Sequence, residues 1–184
     1  SEKNVVFGIC GGYQMLGEWI EDPDNVEEGG SIRGMELLGV RTILGTNKKR
    51  TRVTGRFASL NGPLANLSSA PIEGYEIHMG NTYVEKGEAV TFYEDMNMTS
   101  EGRADGCQNG NVYGCYLHGI FDCGDIAWKL VDGFARKKGQ ILTKNCAGSY
   151  RAFKESQYDK LADMIRSNMD MDRIYAMLRE ASVK

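Results

Sequence analysis

The apolar positions of this chain come in short segments whose period changes from one to the next. Val5-Val6-Phe7, with Ile9 two places on, has strand length and no charged break, which predicts a fully buried strand from Val5 to Ile9. From Gly12 to Ile20, Met15, Leu16, Trp19 and Ile20 share one face at helical spacing, so a short helix is predicted directly behind that strand. The acidic segment Glu21 to Gly30 reads as an exposed loop, and Met35 to Leu44 as a turn followed by a strand. Val53, Gly55 and Phe57 alternate with polar neighbours, as do Tyr75, Ile77 and Met79. Both read as half-buried strands, with Glu76 and His78 pointing to the opposite face of the second.

Ala89 to Tyr93 is a further strand, and Asn109-Gly110-Asn111 before the run Val112 to Leu117 predicts a hairpin closed by a type I′ turn. Its second strand delivers His118. Ile126, Leu130, Val131 and Phe134 mark a helix to Lys138 that Gly139 stops. Two more helices follow, about Tyr150 to Ser167 and Met171 to Ala181, the latter capped by Asp170. Trp19 and Trp128 fall on apolar helix faces and read as core. With 184 residues, 41% of them hydrophobic, there is chain enough for one α/β domain over 1–184 but not comfortably for two.

Charge and cysteine content narrow the partners. A net charge of −3 offers no general attraction to nucleic acid or to an anionic membrane, and no apolar run approaches the roughly 18 residues of a membrane span. Only Lys48-Lys49-Arg50-Thr51-Arg52 is densely basic, either a solvated loop or a local anion site. Five cysteines, Cys10, Cys107, Cys115, Cys123 and Cys146, form no disulfide framework, which points to a reducing cytoplasm. Cys107, Cys115 and Cys123 are spaced by eight, unlike the short spacing of zinc ligands, so they read as buried thiols and no metal is expected.

Cys10 is different. Gly8-Ile9-Cys10-Gly11-Gly12 follows the first strand and opens the first helix, the strand-to-helix elbow on which α/β folds mount a nucleophile. Helix N-terminal amides favour thiolate there, and the Gly11 N–H can donate to a developing oxyanion. A thiolate that must later protonate a leaving amine needs a histidine, and the chain has only His78 and His118. His118 ends an apolar strand at the rim of the sheet, where open α/β folds place their sites, so it is the expected base.

The blocks GICGGYQMLG around Cys10, GYEIHMG from Gly74 to Gly80 and GCYLHGIFD from Gly114 to Asp122 resemble the glutamine amidotransferase domains of the cobyric and cobyrinic acid amidating group. The tail from Tyr150 to Asp163 is similar to the cobyric acid branch. The resemblance implies a class I glutamine amidotransferase-like, flavodoxin-like three-layer α/β sheet with added antiparallel strands and C-terminal helices. It also implies a glutaminase half-reaction on L-glutamine: Cys10 as nucleophile, His118 as proton carrier, and ammonia passed to an ATP- and Mg-dependent synthetase domain that amidates a corrinoid. No phosphate-loop motif occurs in these residues, so ATP and corrinoid are expected to bind on other polypeptide. Gln14, Tyr75 and His78 are implied in the glutamine pocket, and Arg52 is a candidate for the substrate α-carboxylate.

The chain departs from the class pattern at two places. Gly119 and Ile120 follow His118 where most class I enzymes have a glutamate two residues on, which leaves Glu76 or a backbone-held Cys-His dyad to orient the imidazole. The elbow also stands at residue 10, whereas the resembling domains carry several elements before it. A domain truncated at its N-terminus is therefore expected, its first strand open to dimerisation. By residues alone, a cysteine hydrolase or peptidase on a related scaffold and a non-catalytic docking fragment stay open as alternatives.

Overall fold

Parallel pairing joins β1 (Val6–Ile9) to β9 (Val112–Cys115), with Val6 beside Val112 and Ile9 beside Cys115. β8 (Cys107–Asn109) runs antiparallel along the other edge of β9 and completes a three-stranded sheet. The computed structural model describes residues 4–94, 102–123, 125–143 and 150–181. They divide into two compact units, 1–145 and 146–184, where the sequence suggests one domain.

The second sheet of the first unit has six strands. Its order is β3 (Gly30–Arg33), β2 (Trp19–Asp22), β4 (Gly39–Phe57), β6 (Thr91–Tyr93) and β7 (Arg103–Asp105), with β5 (Pro71–Lys86) also on β4. β4 and β5 pair antiparallel from Gly39 and Lys86 to Arg56 and Pro71, broken by an irregularity between Ile43 and Lys48. The basic run Lys48 to Arg52 lies inside β4, so it is a strand segment and not the loop its charge suggests.

Four further expectations change. α1 spans only Gly11–Leu16, and Trp19 and Ile20 belong to β2, because Gly17 lets the chain pass against β4: a Cβ there would lie 2.6 Å from the Val40 carbonyl oxygen. Trp19 is consequently exposed beside the Arg33 guanidinium, 5.9 Å from its ring centroid, and Trp128 is only half-buried. β1 is not fully buried, since among the described residues it pairs with β9 alone and leaves Val6 exposed. The hairpin loop is Gly110-Asn111, and only Gly110 takes a positive φ, 61°, as a type II′ turn requires and type I′ does not.

Two apolar clusters fill the first unit. One gathers Phe57, Leu64, Leu67, Val90, Tyr113, Leu117 and Ile120, with Phe7 and Ile9 packed against it. The other holds Tyr13, Leu16, Leu38, Val40, Cys107 and Tyr116, with Cys10 against it. Ile9 and Cys10 thus straddle the boundary between the clusters.

α2 (Ile126–Lys137) ends as its sequence predicts. Gly139 at φ 71° and the N–H groups of Gly139 and Gln140, donated to Arg136 and Ala135, close a Schellman motif. The second unit holds α3 (Tyr150–Asn168) and α4 (Met171–Ala181), and Asp170 caps α4 by accepting the Arg173 N–H at 3.0 Å. Cys146 lies outside the described residues. No helix among the described residues is long and apolar enough to cross a membrane.

α1 packs flat on β9 because Gly114 has no side chain: a Cβ there would lie 2.2 Å from Cδ2 of the buried Tyr13 ring. We expect Gly114→Ala to cost about 2 kcal/mol or more, read as a lowered Tm, because neither ring nor strand can give way. Gly12→Ala, whose Cβ meets no atom within 4 Å, should hold or raise Tm. Equal losses in the two variants would contradict this packing.

Candidate active site

Cys10 sits at φ 54° and ψ −115°, a conformation that L-residues avoid at a cost of roughly 1–3 kcal/mol. Hydrogen bonds on either side maintain it. The Cys10 N–H donates to the Cys115 carbonyl at 3.0 Å, carrying the β1–β9 ladder one step further, and the Gln14 N–H donates to the Cys10 carbonyl at 3.1 Å. Glycine is obligatory at position 8, where a Cβ would lie 2.6 Å from Leu16 Cδ1 and 2.7 Å from the Gly12 carbonyl oxygen. Gly11 and Gly12 are not crowded: a Cβ at either would meet no atom within 4 Å. Since α1 has only six residues, the elbow offers chiefly the unpaired amides of its first turn.

The Cys10 thiol is half-buried and donates to the Ile77 carbonyl, Sγ to O 3.4 Å. Cys107 and Cys115 are fully buried, and burial pushes the Cys107 thiol up to about 11 and that of Cys115 higher still. Neither is suited to act as a nucleophile.

His118 lies three residues beyond the end of β9, on the same side of the sheet as the elbow beyond β1. Its backbone exchanges hydrogen bonds with Tyr75 of β5, the His118 N–H to the Tyr75 carbonyl at 2.9 Å and the reverse at 3.2 Å. Gly74 permits this approach, because a Cβ there would lie 2.1 Å from the His118 carbonyl oxygen. The imidazole stacks on the Tyr75 ring, centroids 5.6 Å apart and planes within 8°. Its Nε2 is buried with no hydrogen-bond partner among the described residues. Tyr75 and Ile77 are alternate residues of β5, so their carbonyls point to one edge of the strand, where His118 and the Cys10 thiol both make contact. Arg52 stands opposite Tyr75 in the β4–β5 ladder, exposed and with no side-chain partner among the described residues.

The face of β5 opposite the Tyr75 ring is charged and buried. The Glu76 carboxylate has no exposure and accepts from Arg103 at 2.6 Å and Lys49 at 3.0 Å, while its Oε1 faces His78 Nε2 at 3.5 Å, a long contact. His78 Nδ1 lies 3.1 Å from the Gly80 carbonyl, and its ring stacks on Tyr116, centroids 3.7 Å apart. A cavity of about 360 Å³ opens here between Lys49, His78, Asn81, Thr82, Arg103 and Tyr116. Neither Cys10 nor His118 lines it.

An elbow cysteine and a strand-end histidine on one sheet rim agree with the similarity to known proteins. Residues 1–126 match the model of the CobB/CobQ-like glutamine amidotransferase domain. This chain belongs to that family. Relatives include cobyric acid synthases of Ruminiclostridium cellulolyticum, 42% identical across 98% of this chain and 35% of that protein, and Lachnoclostridium phytofermentans, 39% identical across 98% and 37%. That of Clostridium acetobutylicum is 39% identical across 97% and 34%. The amidotransferase chain thus spans about a third of the length of these relatives.

In this amidotransferase the residues inferred from sequence separate into two groups. Cys10 and His118 meet one edge of β5, the Tyr75 ring stacks on His118, and Arg52 lies across from Tyr75 on β4. Glu76 and His78 stand apart from these: Glu76 is engaged by Lys49 and Arg103, buried away from any small molecule, and makes no bond to His118. The His118 imidazole is held by backbone bonds and by stacking on Tyr75, and Glu76 lies on the other face of β5. Gln14 lies between the two groups, its Nε2 3.1 Å from the Tyr116 hydroxyl and 3.4 Å from the Met79 carbonyl. Sequence reasoning names Lys49 only within its basic run and misses Arg103 and Tyr116, which pairing between distant segments brings to Glu76 and Gln14.

Burial alone would raise the Glu76 carboxyl, but His78, Arg103 and Lys49 outweigh it and hold it at about 2, against an ordinary 4.5. A value lowered by folding means stabilisation that is present above 4.5 and disappears as pH falls through about 2. We expect Glu76→Gln to lower unfolding free energy by roughly 3 kcal/mol at pH 7. Denaturant melts at stepped pH should show the gap from wild type closing between pH 4.5 and 2. A gap independent of pH would refute the charged arrangement.

Proposed function

We propose that this chain carries out the glutaminase half-reaction of a cobyric acid synthase, releasing ammonia from L-glutamine. The supporting observation is the strained Cys10 at an edge of β5 that His118 also meets. The Cys10 thiol gives its proton to His118 and attacks the side-chain amide carbon of glutamine, while the Gly11 N–H faces the developing oxyanion. As the tetrahedral species collapses, the C–N bond breaks and the imidazolium protonates the departing nitrogen, leaving a γ-glutamyl thioester. His118 then takes a proton from water, which attacks the thioester and frees glutamate and the thiol. In this reading Arg52, opposite Tyr75 and without a side-chain partner among the described residues, binds the α-carboxylate.

In this reading ammonia passes to an ATP- and Mg-dependent synthetase portion that amidates the peripheral carboxylates of a corrinoid a,c-diamide. The relatives' names and their greater length support it. We place the reaction in the cytoplasm, in keeping with free thiols at all four described cysteines. The open edge of β1 is where a second copy would pair.

In the intact protein, Cys10→Ala should lower glutamine-dependent amidation by at least about 10³-fold and leave amidation from ammonium salts unchanged. Product formation with each nitrogen source checks this. Equal loss with both would overturn the assignment of a separate ammonia-generating role.

A further inference from the structure

We propose that Tyr116 is a positioning residue for glutamine, acting through Gln14, and that it makes the Gln14 amide offer an acceptor beside the nucleophile. The inference rests on the glutaminase reading above. Gln14 follows Cys10 by one helical turn, and its amide has two N–H groups and one oxygen to place. Nε2 lies 3.1 Å from the Tyr116 hydroxyl and 3.4 Å from the Met79 carbonyl. The Met79 carbonyl can only accept, so reversing the amide would set oxygen against oxygen. Gln14 Oε1 has no donor among the described residues and remains available to a ligand.

The Tyr116 hydroxyl accepts from Gln14 and is itself held in place: it is 2.5 Å from Thr82 Oγ1, which is 2.7 Å from Thr42 Oγ1, so a chain of hydroxyls backs the Gln14 contact. The ring cannot swing away. His78 stacks on one face at 3.7 Å, Tyr13 meets it edge-on at 5.4 Å, and Tyr116 and Thr42 are buried. His78 is held in turn by Gly80 and faces Glu76. The charged rear face of β5 thereby reaches the substrate side through an aromatic stack. A fixed acceptor next to Cys10 suits the N–H donors of glutamine, its ammonium or its side-chain amide, and disfavours the additional carboxylate of the product glutamate.

Glutaminase kinetics of the intact protein test this. Tyr116→Phe keeps the stack and removes the hydroxyl, and we expect KM for glutamine to rise about 10-fold with kcat changed less than about 2-fold. Inhibition by glutamate should not weaken in parallel. Thr82→Val should move KM in the same direction and Thr82→Ser should restore it, which keeps the test available if Tyr116→Phe does not fold. In a Gln14→Ala background, Tyr116→Phe should add nothing. An unchanged KM in both Tyr116→Phe and Thr82→Val, or an equal increment with and without Gln14, would overturn the inference. A wild-type protein that releases no ammonia from glutamine removes the glutaminase reading and this inference together, whereas an active wild type with an indifferent Tyr116→Phe removes only the inference.

Discussion

The backbone at Cys10 is forced into a positive φ, and the surrounding hydrogen bonds keep it there. Released from its neighbours, the residue would relax and the thiol would turn away from the opening over Gly11. The parallel ladder between β1 and β9 continues through the Cys10 N–H, and the first turn of α1 engages the Cys10 carbonyl, so the strain of roughly 1–3 kcal/mol is spread over a bonded frame. The same ladder sets where His118 emerges, because β1 and β9 run in one direction and end at one rim. Cys10 and His118 are brought to a common rim by a single pairing.

β5 divides the chemistry from its support. One edge meets the histidine backbone and the thiol through Tyr75 and Ile77; the face opposite the Tyr75 ring buries Glu76 among Lys49, Arg103 and His78. A strand alternates by geometry, so these roles cannot drift into each other without a register shift that would turn every side chain over. Glycine matters at the points of closest approach. Gly74 admits the His118 backbone and Gly114 admits the Tyr13 ring, and each contact would be blocked by a single methyl group.

The buried carboxylate is the less obvious feature. A lone Glu76 in this interior would be costly, and two cations with a histidine offset that cost by binding its charged form. The arrangement stiffens the part of β5 against which Tyr116 and Gln14 are set. The charge cluster thus backs the strand whose edge meets the elbow.

Much of the molecule follows from local rules that the chain carries openly. Small residues around one cysteine after an apolar run specify an elbow, Gly139 specifies a helix stop and Asp170 a helix start, and the shortage of histidines leaves few candidates for a base. These are near-neighbour effects, complete within a few residues. Pairings between distant segments decided the rest: which face of β5 turns inward, that Trp19 joins a strand beside β4, that the basic run is a strand segment, and that Arg103 and Lys49 converge on Glu76. Alternation along β5 tells that Glu76 and Tyr75 point apart but carries no sign for inside and outside. That sign comes only when partners far along the chain make burial of the charge less costly than its exposure of the apolar neighbours would be.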